Sequence, residues 1–195
     1  MKPDRKVREE YLQAFARIVS RIARKLARTR PGALPIRMYV AGGAALHLMT
    51  GARVSEDIDA VFSRRLVLNE ELQVSYRDAD GRARLLYLDR NYNDSLGLLH
   101  EDAYKDSRAV DIPGIDASVI EVRALAPVDL AVTKLARFSE QDRTDIELMA
   151  KGGLVDSGSL RKRATQALGG YVGDLDGVRT SIEVACRLID SIRKP

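Results

Sequence analysis

A pair of glycines between a short apolar segment and a helix constrains this chain most. Residues 36–41 indicate a buried strand, and Gly42-Gly43 then turn the chain into a helix through residues 44–48. Glycine lets the backbone approach a phosphate closely, and the free N–H groups at the start of a helix favour an anion. The pattern predicts a phosphate-holding turn, although paired glycines also allow a helix to pack closely on a strand.

An acidic pair follows on the next predicted strand. Asp57 and Asp59 alternate with Ile58, so both carboxylates project to one face while the isoleucine packs behind them. Two like charges this close repel each other, which a divalent cation between them would relieve. Carboxylate oxygens suit Mg²⁺, which commonly binds one or two carboxylates together with waters and substrate phosphates. Such pairs also occur at strand ends where both carboxylates simply face water, but a phosphate-holding turn beside a metal-holding pair predicts phosphoryl transfer.

Periodicity along the chain predicts an α+β fold, in which a small mixed β-sheet is flanked by helices and followed by a C-terminal helical segment. The turn signal at residues 78–81 predicts a β-hairpin. Residues 90–116 lack a clear period and are expected to form a loop with one short element. The predicted strands are 36–41, 58–62, 71–77, 82–89 and 118–123; the predicted helices are 7–26 (ending at Pro31-Gly32), 44–48, 127–135, 140–151 (with Ser139 as N-cap and Asp142 in the first turn), 157–168 and 175–192.

Three segments are expected from this order of elements. Residues 1–35 form a basic amphipathic helix packed on the core, residues 36–125 form the core itself, and residues 126–195 form the helical region. Both ends of the chain carry an excess of Lys and Arg, whereas residues 31–150 carry an excess of Asp and Glu. Basic flanks beside an acidic centre favour a polyanion such as RNA, although a solvated helix face is the commoner explanation.

Composition excludes several classes of site and location. The only cysteine is Cys186, so neither a disulfide framework nor a cysteine-rich metal site is possible. The two histidines, His47 and His100, are far apart in the sequence, which argues against a histidine-based zinc site. No apolar run approaches membrane-spanning length, and the basic N-terminus lacks the apolar stretch of a signal peptide. We expect a cytoplasmic protein with no membrane partner.

The glycine turn followed by the acidic pair resembles the signature of the polymerase-β-like nucleotidyltransferase superfamily. The matching segments are Gly42-Gly43-Ala44-Ala45-Leu46 and Arg53-Val54-Ser55-Glu56-Asp57-Ile58-Asp59. In that superfamily a Gly-Gly or Gly-Ser turn precedes an Asp-x-Asp pair, and a third carboxylate lies on a later strand. The resemblance implies a metal site at Asp57 and Asp59 and a nucleotide seated over Gly42 and Gly43, near Ser55.

Two residues can supply the third carboxylate. Asp89 ends the apolar strand 85–89 in phase with Leu85 and Tyr87, and Glu121 shares a strand face with Val119 and Arg123. Asp89 is the preferred metal ligand, since its place at the strand end would let it reach the same metals, and it is the preferred general base because it is not committed to the Asp-x-Asp pair. An ordinary strand-terminal aspartate is the competing interpretation.

A later segment resembles the AbiEii-type (abortive-infection) nucleotidyltransferases, a group that includes toxins of bacterial toxin–antitoxin pairs. Those proteins carry a helical lysine and then an Asp-x-x-Asp pair on the next helix, which Lys134, Asp142 and Asp145 match. The resemblance implies that Lys134 binds the nucleotide phosphates, as a point charge suited to them, and that Asp142 or Asp145 orients Lys134 or the acceptor. A structural salt-bridge network would explain the same three residues. Two features depart from the family: the glycine motif is Gly-Gly-Ala rather than Gly-Ser, and residues 89–93 and 98–102 do not map onto the family's pattern.

The sequence thus predicts a Mg²⁺-dependent nucleotidyltransferase. It would transfer a nucleoside monophosphate from a nucleoside triphosphate to a tRNA end or other RNA, a protein side chain or a small molecule, and could serve as a toxin with a cognate antitoxin protein. The predicted catalytic residues are Asp57, Asp59, Asp89, Lys134 and Asp145, and the predicted nucleotide contacts are Gly42, Gly43, Ser55, Lys134 and Asp142. The alternative is an inactive relative that keeps the fold and binds a nucleotide, RNA or a partner protein.

Overall fold

The computed structural model describes residues 1, 3–4, 7–26, 31–68, 71–94 and 97–193, and it confirms the predicted mixed α+β fold. The chain divides into two compact units. The first comprises Met1–Tyr92 and Ser107–Ala124, and the second comprises Asn93–Asp106 and Leu125–Pro195. The three-segment division that we expected from the sequence stays a prediction. None of the described helices is long and apolar enough to cross a membrane.

A mixed sheet, six-stranded within the described residues, forms the centre of the first unit. Its strands are β1 (Ile36–Val40), β2 (Asp57–Phe62), β3 (Gln73–Arg77), β4 (Ala83–Asp89), β5 (Arg108–Ala109) and β6 (Ile120–Ala124). They lie in the order β3-β4-β2-β1-β6-β5. Strand β2 runs antiparallel to β1 on one side and parallel to β4 on the other. The acidic strand therefore lies in the interior of the sheet, with a neighbour on each edge.

Helices α1 (Glu9–Leu26) and α2 (Gly42–Thr50) pack on this sheet. Helix α1 has glutamates in its first turn and basic residues in its last, an arrangement that suits the helix dipole. Its predicted apolar stripe is fully buried at Tyr11, Phe15, Ile18 and Ile22, where α1 packs on β3 and β4. The predicted end of this helix at Pro31-Gly32 follows residues 27–30, which lie outside the described part of the chain.

The predicted hairpin between β3 and β4 is confirmed. One carboxylate oxygen of Asp78 accepts hydrogen bonds from the backbone N–H groups of Asp80 and Arg82, and Gly81 adopts a φ of 76°. The other oxygen lies 2.9 Å from Nε of Arg84. The turn residues thus set the register of β4, the strand that ends at Asp89.

Four helices in the described part of the second unit follow the predicted pattern. They are α3 (Pro127–Thr133), α4 (Glu140–Lys151), α5 (Ser157–Ala167) and α6 (Leu175–Arg193). Helix α4 begins at the predicted N-cap, Ser139, with Asp142 in its first turn. The Ser139 hydroxyl and the Asp142 carboxylate each bond the other residue's backbone N–H, which makes a capping box.

One boundary that differs from its prediction bears on the candidate site. We expected the helix from Pro127 to run through Lys134 and Leu135, but α3 ends at Thr133 with Lys134 as its C-cap. The backbone N–H groups of Lys134 and Leu135 bond to carbonyls three residues back, which tightens the last turn. Lys134 consequently extends from a turn between two helices rather than from a helix face.

Candidate functional site

The predicted carboxylates lie on adjacent parallel strands. Asp57 and Asp59 are half-buried on one face of β2, while Ile58 is fully buried on the other. Asp59 is the register partner of Asp89 on β4, and Asp57 is the partner of Tyr87. Because register partners in a parallel pair point to the same face, all three carboxylates share one face of the sheet. Asp89 also accepts a hydrogen bond of 2.8 Å from the backbone N–H of Asn91.

The alternative third carboxylate, Glu121, lies elsewhere in the sheet. It belongs to β6, which is separated from β2 by β1. Its oxygens lie 3.2 Å from Nε of Arg37 and 2.5 Å from Nη1 of Arg123. The structure therefore brings Asp89, and not Glu121, beside the acidic pair.

Gly42 lies directly against Asp59. The backbone N–H of Ala41 donates to the Asp59 carbonyl at 2.9 Å, which brings the end of β1 beside β2. Gly42 has a φ of 56°, and a Cβ at this position would lie 1.8 Å from Oδ2 of Asp59. Both the backbone conformation and the contact require glycine. The carboxylate of Asp59 consequently touches the start of α2.

Gly43 packs against the segment that leads into β2. A Cβ on Gly43 would lie 2.8 Å from Cβ of Ser55 and 2.7 Å from Nη2 of Arg53. Ser55 is buried, and its hydroxyl donates a hydrogen bond to Oδ1 of Asp57. Each glycine therefore allows a close contact near a different aspartate. Gly42 contacts Asp59, and Gly43 contacts Ser55, the serine that orients Asp57.

The start of α2 can bind an anion. Its N-cap, Ala41, has no side chain that could accept from the first N–H groups of the helix. The guanidinium of Arg53, from the segment that leads into β2, lies beside Gly43. Backbone N–H groups and a neighbouring guanidinium are the usual donors to phosphate oxygens in proteins.

The acidic pair fits a magnesium ion only in part. Within the ranges that the structure describes, no group of three or more His, Cys, Asp or Glu side chains is arranged to hold a metal ion. Mg²⁺, however, is commonly bound by only one or two carboxylates, with phosphate oxygens of the substrate completing the octahedron. The oxygens of Asp57 and Asp59 match that donor set, so the pair suits a magnesium ion that binds together with a nucleotide.

In the second unit, Lys134, Asp142 and Asp145 form a buried ionic cluster. The Lys134 ammonium lies 2.6 Å from Oδ2 of Asp145 and 3.8 Å from Oδ1 of Asp142. Arg137 donates two hydrogen bonds of 2.8 Å to Asp142. Burial opposes the ionisation of Asp142, but the hydrogen bonds from Arg137 and Ser139 outweigh it and lower the pKa of Asp142 to about 2. Of the three residues that the resemblance singled out, Lys134 therefore contacts both aspartates.

Two buried side chains of the first unit were not assigned a role from the sequence. Tyr11 on α1 and His47 on α2 are both 0% exposed, and their ring centroids lie 4.6 Å apart in an edge-to-face arrangement. Among the described residues, neither the phenol oxygen nor either imidazole nitrogen has a hydrogen-bond partner. Burial raises the pKa of Tyr11, and burial followed by the charge of Arg8 lowers the pKa of His47 to about 4. Both rings are therefore neutral at physiological pH.

Comparison with known proteins agrees with this arrangement. A family model described as "Nucleotidyltransferase of unknown function (DUF6036)" matches residues 17–174, which is most of the chain. The match supports a nucleotidyltransferase and does not distinguish the AbiEii type among them. No curated protein and no solved structure gave a match.

Proposed function

This chain belongs to the DUF6036 family of nucleotidyltransferases, and we propose that its first unit transfers a nucleoside monophosphate from a nucleoside triphosphate to a hydroxyl acceptor. One observation carries the proposal. Asp59 touches the glycine that opens α2 and is also the register partner of Asp89. A phosphate-binding turn, an acidic pair and a further carboxylate are therefore contiguous, as phosphoryl transfer requires.

The triphosphate lies over the glycine turn in this proposal. The N–H groups at the start of α2 and the Arg53 guanidinium beside Gly43 would donate to its oxygens. The acceptor hydroxyl oxygen attacks the α-phosphorus, the bond from that phosphorus to the bridging oxygen breaks, and pyrophosphate leaves. The hydroxyl proton passes to Asp89, whose carboxylate lies outside the Asp57–Asp59 pair.

Asp57 and Asp59 would hold Mg²⁺, with Asp89 as a further ligand when substrate is bound. The ion would supply charge neutralisation at the phosphate oxygens and polarise the phosphoryl group. Ser55 contributes by fixing the orientation of Asp57 through its hydroxyl. Replacing either aspartate with asparagine removes negative charge without changing shape, so transfer should be lost while thermal stability stays near or above that of the wild type.

The resemblance to AbiEii-type proteins extends the proposal to the second unit. There Lys134 would bind nucleotide phosphate while Asp145, 2.6 Å away, orients it, and Asp142 would support both. The same resemblance extends the biological role to the toxin of a toxin–antitoxin pair, with an antitoxin protein as partner. These extensions rest on the resemblance and on the contacts within the cluster.

The direct test is label transfer. The purified protein is incubated with each labelled nucleoside triphosphate, Mg²⁺ and total bacterial RNA, and label is followed on RNA and on protein. The Asp57→Asn, Asp59→Asn and Asp89→Asn variants should each lose transfer, and the labelled nucleotide identifies the donor.

Two matched controls accompany these variants. Glu56→Gln neutralises an exposed carboxylate next to Asp57, and Glu121→Gln neutralises the carboxylate paired with Arg37 and Arg123. Both should retain transfer. Full activity in the Asp57 and Asp59 variants would refute the site. Metal-dependent nucleotide binding without transfer to any acceptor would instead identify an inactive nucleotide-binding relative.

A further inference from the structure

A pocket of about 310 Å³ lies at the C-terminal ends of β2 and β4, beside Asp89. Asp89 forms part of its wall, and so do the residues that follow the two strands. The lining combines three arginines with two aromatic side chains: Arg64, Arg65, Arg90, Phe62 and Tyr92. The proposed transfer reaction assigns no role to these five residues.

The three arginines are available to a ligand. All three are exposed, and none of them makes an ion pair or hydrogen bond to another described residue. Asp89 is the only acidic residue among the described lining, so the pocket carries a net positive charge. An unpaired cluster of guanidinium groups attracts a polyanion, and phosphate oxygens match the guanidinium fork.

The glycine turn lies on the β1 side of the acidic strand, whereas the arginine pocket is lined by the end of β4 and by the C-terminal half of the acidic strand itself. In the sheet, β1 and β4 are the two neighbours of β2. Gly42, which follows β1, touches Asp59, whereas Asp89 at the end of β4 lines the arginine pocket. An in-line displacement needs the attacking and leaving groups on opposite sides of the phosphorus. If the donor nucleotide binds at the glycine turn, the arginine pocket is therefore the position that remains for the acceptor.

We propose that this pocket binds the terminal nucleotide of a single-stranded RNA acceptor, with Arg64, Arg65 and Arg90 holding its phosphates. The inference rests on the proposed nucleotidyl transfer, because it names the acceptor of that reaction. Aromatic side chains interleaved with arginines are the usual platform for unpaired bases, which stack on a ring while guanidinium groups follow the backbone. A pocket of this volume is at the small end of ligand sites, which suits one nucleotide with the rest of the strand outside.

The test measures RNA binding in the absence of nucleotide and metal. A fluorescein-labelled single-stranded RNA of about 12 nucleotides, a length within the range of known single-strand sites, is titrated by fluorescence anisotropy at several salt concentrations. The test variant is Arg64→Gln/Arg65→Gln/Arg90→Gln, and the same three positions changed to lysine keep the charge. Arg108→Gln is the matched control, since Arg108 is also exposed and its guanidinium pairs with no described residue, but it lies on β5 at the far edge of the sheet.

Each phosphate contact adds about 0.7 to the slope of log Kd against log salt for a single strand, so the glutamine variant should lose about 2 from that slope. A slope of that size means that the contribution of the three arginines to RNA affinity falls about 20-fold when the salt concentration rises from roughly 50 to 200 mM. The lysine variant and Arg108→Gln should keep the wild-type slope. Thermal unfolding of each variant verifies that the exposed substitutions leave the fold intact.

Two results would overturn the inference. One is an unchanged slope in the glutamine variant, which would mean that RNA binds elsewhere or that the acceptor is a protein. The other is a parallel loss of ATP binding, which would assign the arginines to the triphosphate of the donor. The Asp57→Asn variant separates this inference from the proposed function: it should bind the RNA like the wild type even though it transfers nothing.

Discussion

The carboxylate of Asp59 lies so close to Gly42 that a single added carbon would overlap it, because a Cβ on Gly42 would be 1.8 Å from Oδ2. The glycine is therefore required by a side chain of the acidic pair as well as by its own φ of 56°. In the proposed reaction, this contact places the triphosphate-binding turn directly beside a metal-binding carboxylate. A substitution at Gly42 should consequently act on activity more than on the fold.

We predict that Gly42→Ala abolishes nucleotidyl transfer and lowers the free energy of unfolding by about 2–4 kcal/mol. About 1 kcal/mol of that loss comes from the left-handed backbone and about 1–3 kcal/mol from overpacking against Asp59. Label transfer and denaturant unfolding measure the two effects.

Gly81→Ala is the control for backbone strain. Gly81 has a φ of 76°, but a Cβ there would meet no atom within 4 Å. Gly81→Ala should therefore lose only the contribution that comes from the left-handed backbone, and it should keep full nucleotidyl transfer. Equal decreases in the free energy of unfolding of Gly42→Ala and Gly81→Ala would show that overpacking against Asp59 does not contribute to the loss.

His47 should make the stability of the protein fall in mildly acidic solution. Its pKa is lowered from 6.5 to about 4 in the folded protein, so between these two values the unfolded chain binds the proton and the folded chain does not. The free energy of unfolding should therefore decrease as the pH falls from about 6.5 to about 4, by up to about 3 kcal/mol, and the contribution of His47 should level off below that window. His47→Leu should flatten the curve in this window when unfolding is followed at a series of pH values.

Tyr11→Phe provides the comparison for that experiment. It removes the other unpartnered polar atom of the same buried contact, but the tyrosine does not titrate between pH 4 and 7 because burial raises its pKa. Its free energy of unfolding should shift by a constant amount across the window. A His47→Leu curve parallel to that of the wild type would mean that the imidazole titrates as it does in water.

The sequence predicted the local motifs of the site better than it predicted how those motifs are arranged in space. Gly42-Gly43 and the Asp57–Asp59 alternation follow from backbone geometry and the two-residue period of a strand, so both could be recognised without a structure. The sequence favoured Asp89 over Glu121 but could not settle the choice, because it depends on which strands are neighbours, and strand order is set by long-range packing. The pocket of Arg64, Arg65 and Arg90 could not be recognised for the same reason. The arginines follow two different strands and meet only in the folded sheet.

Lys134 and Asp145 allow a structural role to be separated from a role in nucleotide binding. Asp145 is 0% exposed, so Lys134→Met would leave its carboxylate buried without the ammonium group that now lies 2.6 Å away. We predict a loss of about 3–5 kcal/mol in the free energy of unfolding for this single variant. The double variant Lys134→Met/Asp145→Leu removes both charges and should recover most of that loss, since well-packed apolar side chains often replace a buried ion pair without cost.

The recovered double variant then tests the proposed contact between Lys134 and phosphate. A charge-assisted hydrogen bond contributes about 1.5–3 kcal/mol, so losing it should weaken nucleoside triphosphate binding by about 10- to 100-fold in a protein that is still folded. Titration of the double variant with a fluorescent nucleoside triphosphate measures this directly, with Lys151→Met, which lies at the exposed end of α4, as the control. Wild-type affinity in the double variant would mean that the cluster only stabilises the junction between α3 and α4, and that the AbiEii-type role does not carry over to Lys134.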